Sequence, residues 1–163
     1  GKALNGKTIT CDEAYNLFAR ILSENNLESM TKKILLCGSA RRGKKTCGDL
    51  DIVFIDNDSG SLKSWLTKTF GYKKNGKPQT VGLIEDVQVE FYESNEEAWG
   101  SQTLMWTGSA SNNIRLRRIC KKSGWKMSQY GIKDSSGMNL TANMSEEEIY
   151  SFLGIDFVHP GER

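Results

Sequence analysis

The chain has 163 residues, about one domain's length, with 26% charged and 37% hydrophobic residues, an ordinary globular mix. No apolar run approaches the ~20 residues of a membrane span, and the N-terminus has no signal-peptide core, so a membrane protein is not expected and a cytoplasmic location is. The net charge of +2 does not mark a nucleic-acid binder, but basic residues cluster at 41–45, 73–77 and 115–122 and acidic ones at 85–97 and 146–148, a patchy surface able to hold a phosphate backbone on one side.

Thr10-x-x-Glu13 reads as a capping box. The helix behind it carries Ala14, Leu17, Phe18, Ile21 and Leu22 at amphipathic spacing and should end near Asn25-Asn26. The apolar run Ile34 to Cys37 is short enough to be a buried strand, and Gly38-Ser39 breaks it. A basic loop follows, with Arg41, Arg42, Lys44 and Lys45 among Gly43 and Gly48. The next strand, Leu50 to Ile55, is entered through Asp49-Leu50-Asp51. Alternation puts Asp49, Asp51 and Val53 on one face and Leu50, Ile52 and Phe54 on the other. The apolar row faces a core. The two carboxylates stand side by side and repel unless a cation bridges them, and a hard divalent ion with oxygen ligands meets that need. The small, cationic loop before them suits close approach to phosphate. Together these features predict a metal–triphosphate site.

Gly38-Ser39 followed by Asp49-x-Asp51 resembles the nucleotidyltransferase superfamily. The fuller string Gly38-Ser39-x-Arg41-Arg42-Gly43-x4-Gly48-Asp49-x-Asp51 resembles one branch of it, the family X DNA polymerases of the polymerase beta group.

Beyond the strand, Asp56 to Ser61 reads as a turn. Leu62, Trp65, Leu66 and Thr69 form a second amphipathic helix stopped at Gly71, and 72–78 is a hairpin tip. Thr80 to Ile84 and Val87 to Tyr92 are paired strands around Glu85-Asp86. In the second, Val87, Val89 and Phe91 share one face, and Asp86, Gln88, Glu90 and Tyr92 the other. By pattern alone either Asp86 or Glu90 brings a third carboxylate to Asp49 and Asp51. The resemblance selects Glu90, with Asp86 as the fallback, from its spacing to Thr107-Gly108-Ser109. The family has Asp at that position, so Glu90 is a departure by one methylene.

Residues 95–105 are expected as a short helix, broken at Met105-Trp106-Thr107-Gly108-Ser109. Ser109 then caps a helix through about Lys122, with Asn113 and Arg117 one turn apart. Met105 to Arg117 resembles the family's segment that contacts the incoming nucleotide and the template. Trp-Thr-Gly-Ser and Leu116-Arg117-Arg118 resemble polymerase mu and terminal transferase, and Asn113 resembles polymerases beta and lambda. Trp125 to Gln129 and Gly131 to Lys133 read as short strands, with a turn at Asp134 to Gly137. Tyr130 matches a family position behind the template-contacting Arg. Ser145-x-x-Glu148 is a second capping box, starting the helix Glu146 to Leu153 that Gly154 stops. The ending Leu153-Gly154-Ile155-x-Phe157-Val158-x-Pro160 resembles the family's thumb terminus, and His159, the sole histidine, is expected on the surface. The four cysteines lack metal-ligand spacing, so no zinc site is expected.

The resemblance runs from about residue 10 to the C-terminus. It implies an α+β fold: a nucleotidyltransferase-type palm (1–104), a mixed sheet flanked by helices, then a small α/β thumb (105–163). Helix-hairpin-helix elements and a lyase domain are expected to be missing, as in short viral members. The implied activity is DNA-directed DNA polymerisation from a dNTP onto a primer 3′-hydroxyl, with two metal ions. Gap-filling repair is the expected role. Template-independent terminal transfer, another nucleotidyltransferase, and a non-catalytic DNA-binding module are the alternatives. The implied cofactor is Mg2+, with Mn2+ as a substitute, held by Asp49, Asp51 and Glu90. Gly38, Ser39, Arg42, Gly48, Trp106, Gly108 and Asn113 are implied to bind the nucleotide, and Arg117, Tyr130, Lys44 and Lys45 the DNA. Gapped or nicked DNA is the expected partner, and the enzyme is expected to be a monomer, in a host cell or virion if viral.

Overall fold

The computed structural model describes residues 4–71 and 79–163. The hairpin tip expected at 72–78 lies outside them. Strand β1 (Ile9–Thr10) leads into helix α1 (Cys11–Asn25). Both bonds of the capping box are made: Thr10 Oγ1 accepts from the Glu13 amide at 3.1 Å, and Glu13 Oε1 accepts from the Thr10 amide at 3.0 Å. Asn26, in the left-handed region at φ 56, ends the helix. There follow β2 (Thr31–Leu36), the single-turn α2 (Gly38–Arg41), β3 (Thr46–Cys47), β4 (Asp49–Asp56), α3 (Ser61–Phe70), β5 (Gln79–Ile84) and β6 (Val87–Glu93).

The main sheet has the order β2-β4-β6-β5. It is mixed: β4 and β6 run parallel, while the outer pairs are antiparallel. One face is apolar. Leu50, Ile52 and Phe54 of β4 and Val87, Val89 and Phe91 of β6 pack with Ala14, Leu17 and Ile21 of α1 and Leu62 and Leu66 of α3. Burying a Leu or Ile of this kind contributes about 1.5–3 kcal/mol. On the opposite face Val53, Tyr92 and Cys37 pack with Trp99 and Trp106. A two-stranded ribbon of β1 and β3 lies apart from this sheet.

A second core follows in the chain. It joins Leu104 and Met105 of α4 (Trp99–Thr107) to Leu116 and Cys120 of α5 (Ala110–Lys122). Met127 of β7 (Lys126–Ser128), Ile132 of β8 (Gly131–Lys133), and Ile149 and Tyr150 of α6 (Glu146–Phe152) complete it. Two expectations need correction. Gly38 to Arg41, expected as a break leading into a basic loop, forms the single turn α2, and the helix expected over 95–105 begins at Trp99. The helix expected to break at Met105 continues through Met105 and Trp106 to Thr107, and Gly108 at φ 73 ends it. Every residue from Gly100 to Met105 is buried, as is Thr107, so no polar stripe marks how far the helix runs. Ser109 caps α5 as expected, accepting from the Asn112 amide, and His159 is exposed. Among the described residues no helix is long and apolar enough to cross a membrane.

Candidate active site

Asp49 and Asp51 leave β4 on the same face, and Glu90 leaves β6 beside them, because the parallel register pairs Asp51 with Glu90. Each of the three carboxylates offers an oxygen within 4.8 Å of the others. Asp86, the fallback, sits in the β5–β6 turn at φ 65, and its carbonyl accepts from the Lys7 amide. Burial, with Asp49 and Glu90 beside it, pushes the Asp51 carboxyl up to about 8. Three hard oxygen donors that repel one another fit a divalent cation of the magnesium type, since that charge offsets the repulsion.

Gly38 makes room for this cluster. Its φ is +61, and a Cβ there would lie 2.4 Å from Asp51 Oδ2. The Cys37 amide donates to the Asp51 carbonyl at 2.7 Å, tying the end of β2 to the acidic strand. Both oxygens of Glu90 are engaged: Oε1 accepts from Gln88 Nε2 at 2.6 Å, and Oε2 accepts from the Tyr92 hydroxyl. That hydroxyl also lies 3.5 Å from Asp51 Oδ1. Burial and the neighbouring carboxylates push the Tyr92 phenol up, so it remains a proton donor. The Tyr92 ring stacks on Trp106, centroids 4.0 Å apart and planes 18° off parallel. Neither Gln88 nor Tyr92 figured among the expected site residues. Their place on the Glu90 face was readable from alternation, but nothing in the pattern says that both side chains turn toward that carboxylate.

The two adjacent arginines part company. Arg42 Nη1 donates to the Thr107 carbonyl at 2.5 Å and Nη2 lies 3.5 Å from Ser39 Oγ, while its buried Nε has no hydrogen-bond partner among the described residues. Gly108 passes close by; a Cβ there would lie 3.0 Å from Arg42 Nη1. Arg41 turns to the second core instead, donating to Thr107 Oγ1 at 2.8 Å and to Glu146 Oε2 at 2.7 Å. Glu146 also accepts from Thr103 at 3.0 Å and from Arg163 Nη1 at 2.6 Å.

A cleft of about 290 Å³ opens beside Trp106, lined by Gln79, Tyr92, Glu93, Gln102, Gln129 and Tyr130. The structure thus brings Trp106 and Tyr130 to one hollow. Asn113 Nδ2 donates to the Met105 carbonyl at 2.9 Å, and its Oδ1 is buried with no partner among the described residues. Helix α5 shows Arg115, Arg117, Arg118, Lys121 and Lys122 on its exposed surface and carries no acidic residue. Lys44 and Lys45 are exposed in the turn after α2, and Gly48 is half-buried between β3 and β4.

A family model described as DNA polymerase beta palm matches residues 9–119, and one described as DNA polymerase beta thumb matches residues 102–163. Among curated proteins the chain is similar to a repair DNA polymerase X of African swine fever virus (isolate Tick/South Africa/Pretoriuskop Pr4/1996). That match is 28% identical over 173 residues, covering 98% of this chain and 97% of the relative. It is also similar to the DNA polymerase/3′-5′ exonuclease PolX of Bacillus subtilis (strain 168), 26% identical over 145 residues and 84% of this chain, and spans 25% of that protein's length. A DNA polymerase lambda of Arabidopsis thaliana is 26% identical over 181 residues, 88% of this chain, of which the chain spans 34%.

Proposed function

The chain belongs to the polymerase beta group, family X of the DNA polymerases, and on that premise we propose that it is a DNA-directed DNA polymerase filling short gaps in repair. The observation that carries this reading is the carboxylate triad within 4.8 Å, set beside the Trp106–Tyr92 stack and Arg42. The viral repair polymerases, matched over nearly their whole length, support the repair role.

Two divalent ions at the triad, Mg2+ in the first instance and Mn2+ as a substitute, would supply the charge that stabilises attacking and leaving oxygens in phosphoryl transfer. Asp49 and Asp51 would hold both, and Glu90 the one beside the primer 3′-hydroxyl. Gly38, Ser39, Arg42 and Gly48 hold the triphosphate, with the Arg42 guanidinium making charge-assisted bonds to phosphate oxygens. Trp106 and Gly108 bound the sugar. Asn113 donates to the minor-groove edge of the incoming base, which offers acceptors there; to do so its Nδ2 leaves the Met105 carbonyl. Arg117, Tyr130, Lys44 and Lys45 contact DNA, and phosphate contacts of this sort make binding weak and salt-sensitive. We place the palm at 1–104 and the thumb at 105–163, a division supported by the two separate cores, with α4 running across it. The active species is a monomer.

The test is single-nucleotide addition on three DNAs: a one-nucleotide gap, a nick, and a single-stranded primer. Addition of the templated nucleotide on the gap, well above the other two, is the expected result. Equal addition of any nucleotide to the single-stranded primer would make the enzyme a terminal transferase instead.

A further inference from the structure

Glu90 carries one more methylene than Asp49 and Asp51, hence one more rotatable bond between backbone and carboxylate, and ordering it costs more entropy. Its carboxylate is held from both sides nonetheless. Gln88, two residues earlier on the same face of β6, donates to Oε1 at 2.6 Å. Tyr92, two residues later on that face, donates to Oε2. Gln88 is fully buried and Tyr92 nearly so. Gln88 is itself oriented, because its side-chain carbonyl accepts from the Leu4 amide at 2.7 Å, which leaves the Nε2 end facing Glu90. Each carboxylate oxygen has about two lone-pair sites. One hydrogen bond apiece therefore leaves each oxygen a site for a cation.

Buried Gln and Tyr side chains need partners in any core. Here both converge on one carboxylate, and the Tyr92 hydroxyl reaches toward Asp51 as well. The same residue's ring carries Trp106. We propose that Gln88 and Tyr92 are positioning residues that lock the Glu90 carboxylate in its metal-binding orientation, and that Tyr92 also ties that carboxylate to Trp106. Metal loading and nucleotide placement then share one side chain. The inference rests on reading Glu90 as a metal ligand and Trp106 as a nucleotide contact.

The experiment compares wild type with Tyr92→Phe, Gln88→Met and Tyr92→Leu. Mn2+ binding to the full chain is measured by electron paramagnetic resonance without DNA or triphosphate, and single-nucleotide insertion gives kcat and the dNTP KM. Hydrogen-bond partners of metal ligands are typically worth 10–100-fold. Tyr92→Phe and Gln88→Met should each weaken Mn2+ binding by about 10-fold or more and lower kcat, leaving KM within about twofold. Tyr92→Leu, which also removes the stack, should raise KM in addition. Wild-type Mn2+ affinity in both conservative variants would overturn the clamp, and so would a lowered melting temperature without a change in Mn2+ binding. Equal KM values in Tyr92→Phe and Tyr92→Leu would overturn the tie to Trp106. If wild type extends no primer, the polymerase reading fails, and the Mn2+ measurement still decides the clamp.

Discussion

Asp51 and Glu90 are register partners across the parallel ladder of β4 and β6. Their side chains therefore share a face, and the apolar residues on either side of each enter the core beneath. A slip of one residue would turn a carboxylate into that core and Leu50 or Val89 out of it. Core packing and the acidic cluster thus specify the same register.

This crowding has a consequence for pH. Burial and two neighbouring carboxylates push Asp51 to about 8, against about 3.9 for an unfolded Asp. The folded, metal-free protein binds the extra proton between these values, so the contribution of Asp51 to stability is fully present at and below about pH 4 and is lost as pH rises to about 8. Melting temperature against pH in EDTA should fall across that window. Asp51→Asn should flatten this contribution, and Mg2+ should restore stability at pH 8. The same metal-free pH dependence in wild type and Asp51→Asn would contradict this picture of the cluster.

Gly38→Ala tests how closely the backbone approaches the triad. The new Cβ would fall 2.4 Å from Asp51 Oδ2 at a φ of +61, so Asp51 must move and the backbone is strained. Mn2+ binding should weaken by about 10-fold or more, on the scale of a disturbed ligand environment. Gly43→Ala, also at positive φ but with open space around its Cβ, separates backbone strain from the collision and should leave metal binding unchanged.

Glu146 joins the two cores through Arg41, Thr103 and Arg163. The Arg163 side chain is 0% exposed and its Nη2 has no hydrogen-bond partner among the described residues; its guanidinium lies over the Tyr150 and Phe157 rings, and Glu146 is the carboxylate that balances its charge. Removing one member of a buried pair leaves the other uncompensated, at a cost of about 3–5 kcal/mol. Urea unfolding of Glu146→Leu should show a loss of that order. A loss below about 1 kcal/mol, the level of an exposed pair, would mean the network is solvated.

Arg117 stands on an exposed helix surface with four other cations and no acid. If it meets a template phosphate, Arg117→Ala should weaken DNA binding similarly for all sequences and lower the salt slope by about 1. Fluorescence anisotropy across a salt series reads both. An unchanged slope would remove Arg117 from the DNA interface.

Much of the palm sheet is legible as alternation. Asp49-Leu50-Asp51 announces two faces, and the same rule puts Gln88, Glu90 and Tyr92 together. Alternation left Asp86 and Glu90 open, because both lie on that face; the structure separates them by putting Asp86 in the turn and Glu90 opposite Asp51. Thr10 with Glu13 and Ser145 with Glu148 announce helix starts because capping is local chemistry. The extent of α4 is not legible, since a helix buried all round has no polar face to count. The divergence of Arg41 from Arg42 is not legible either. It depends on Glu146, 105 residues away, and no local pattern records a contact across that separation.

The most direct test of the central claim, that the Asp49–Asp51–Glu90 cluster drives nucleotide addition, is primer extension on a one-nucleotide-gapped duplex with Mg2+. Wild type is compared with Asp51→Asn and Glu90→Gln. These substitutions keep shape and remove charge. Templated addition by wild type, lowered more than about 100-fold in both variants and so beyond the usual effect of an outer-shell partner, is the predicted result. Extension by Glu90→Gln at the wild-type rate would contradict it, as would a wild type that adds no nucleotide with either Mg2+ or Mn2+.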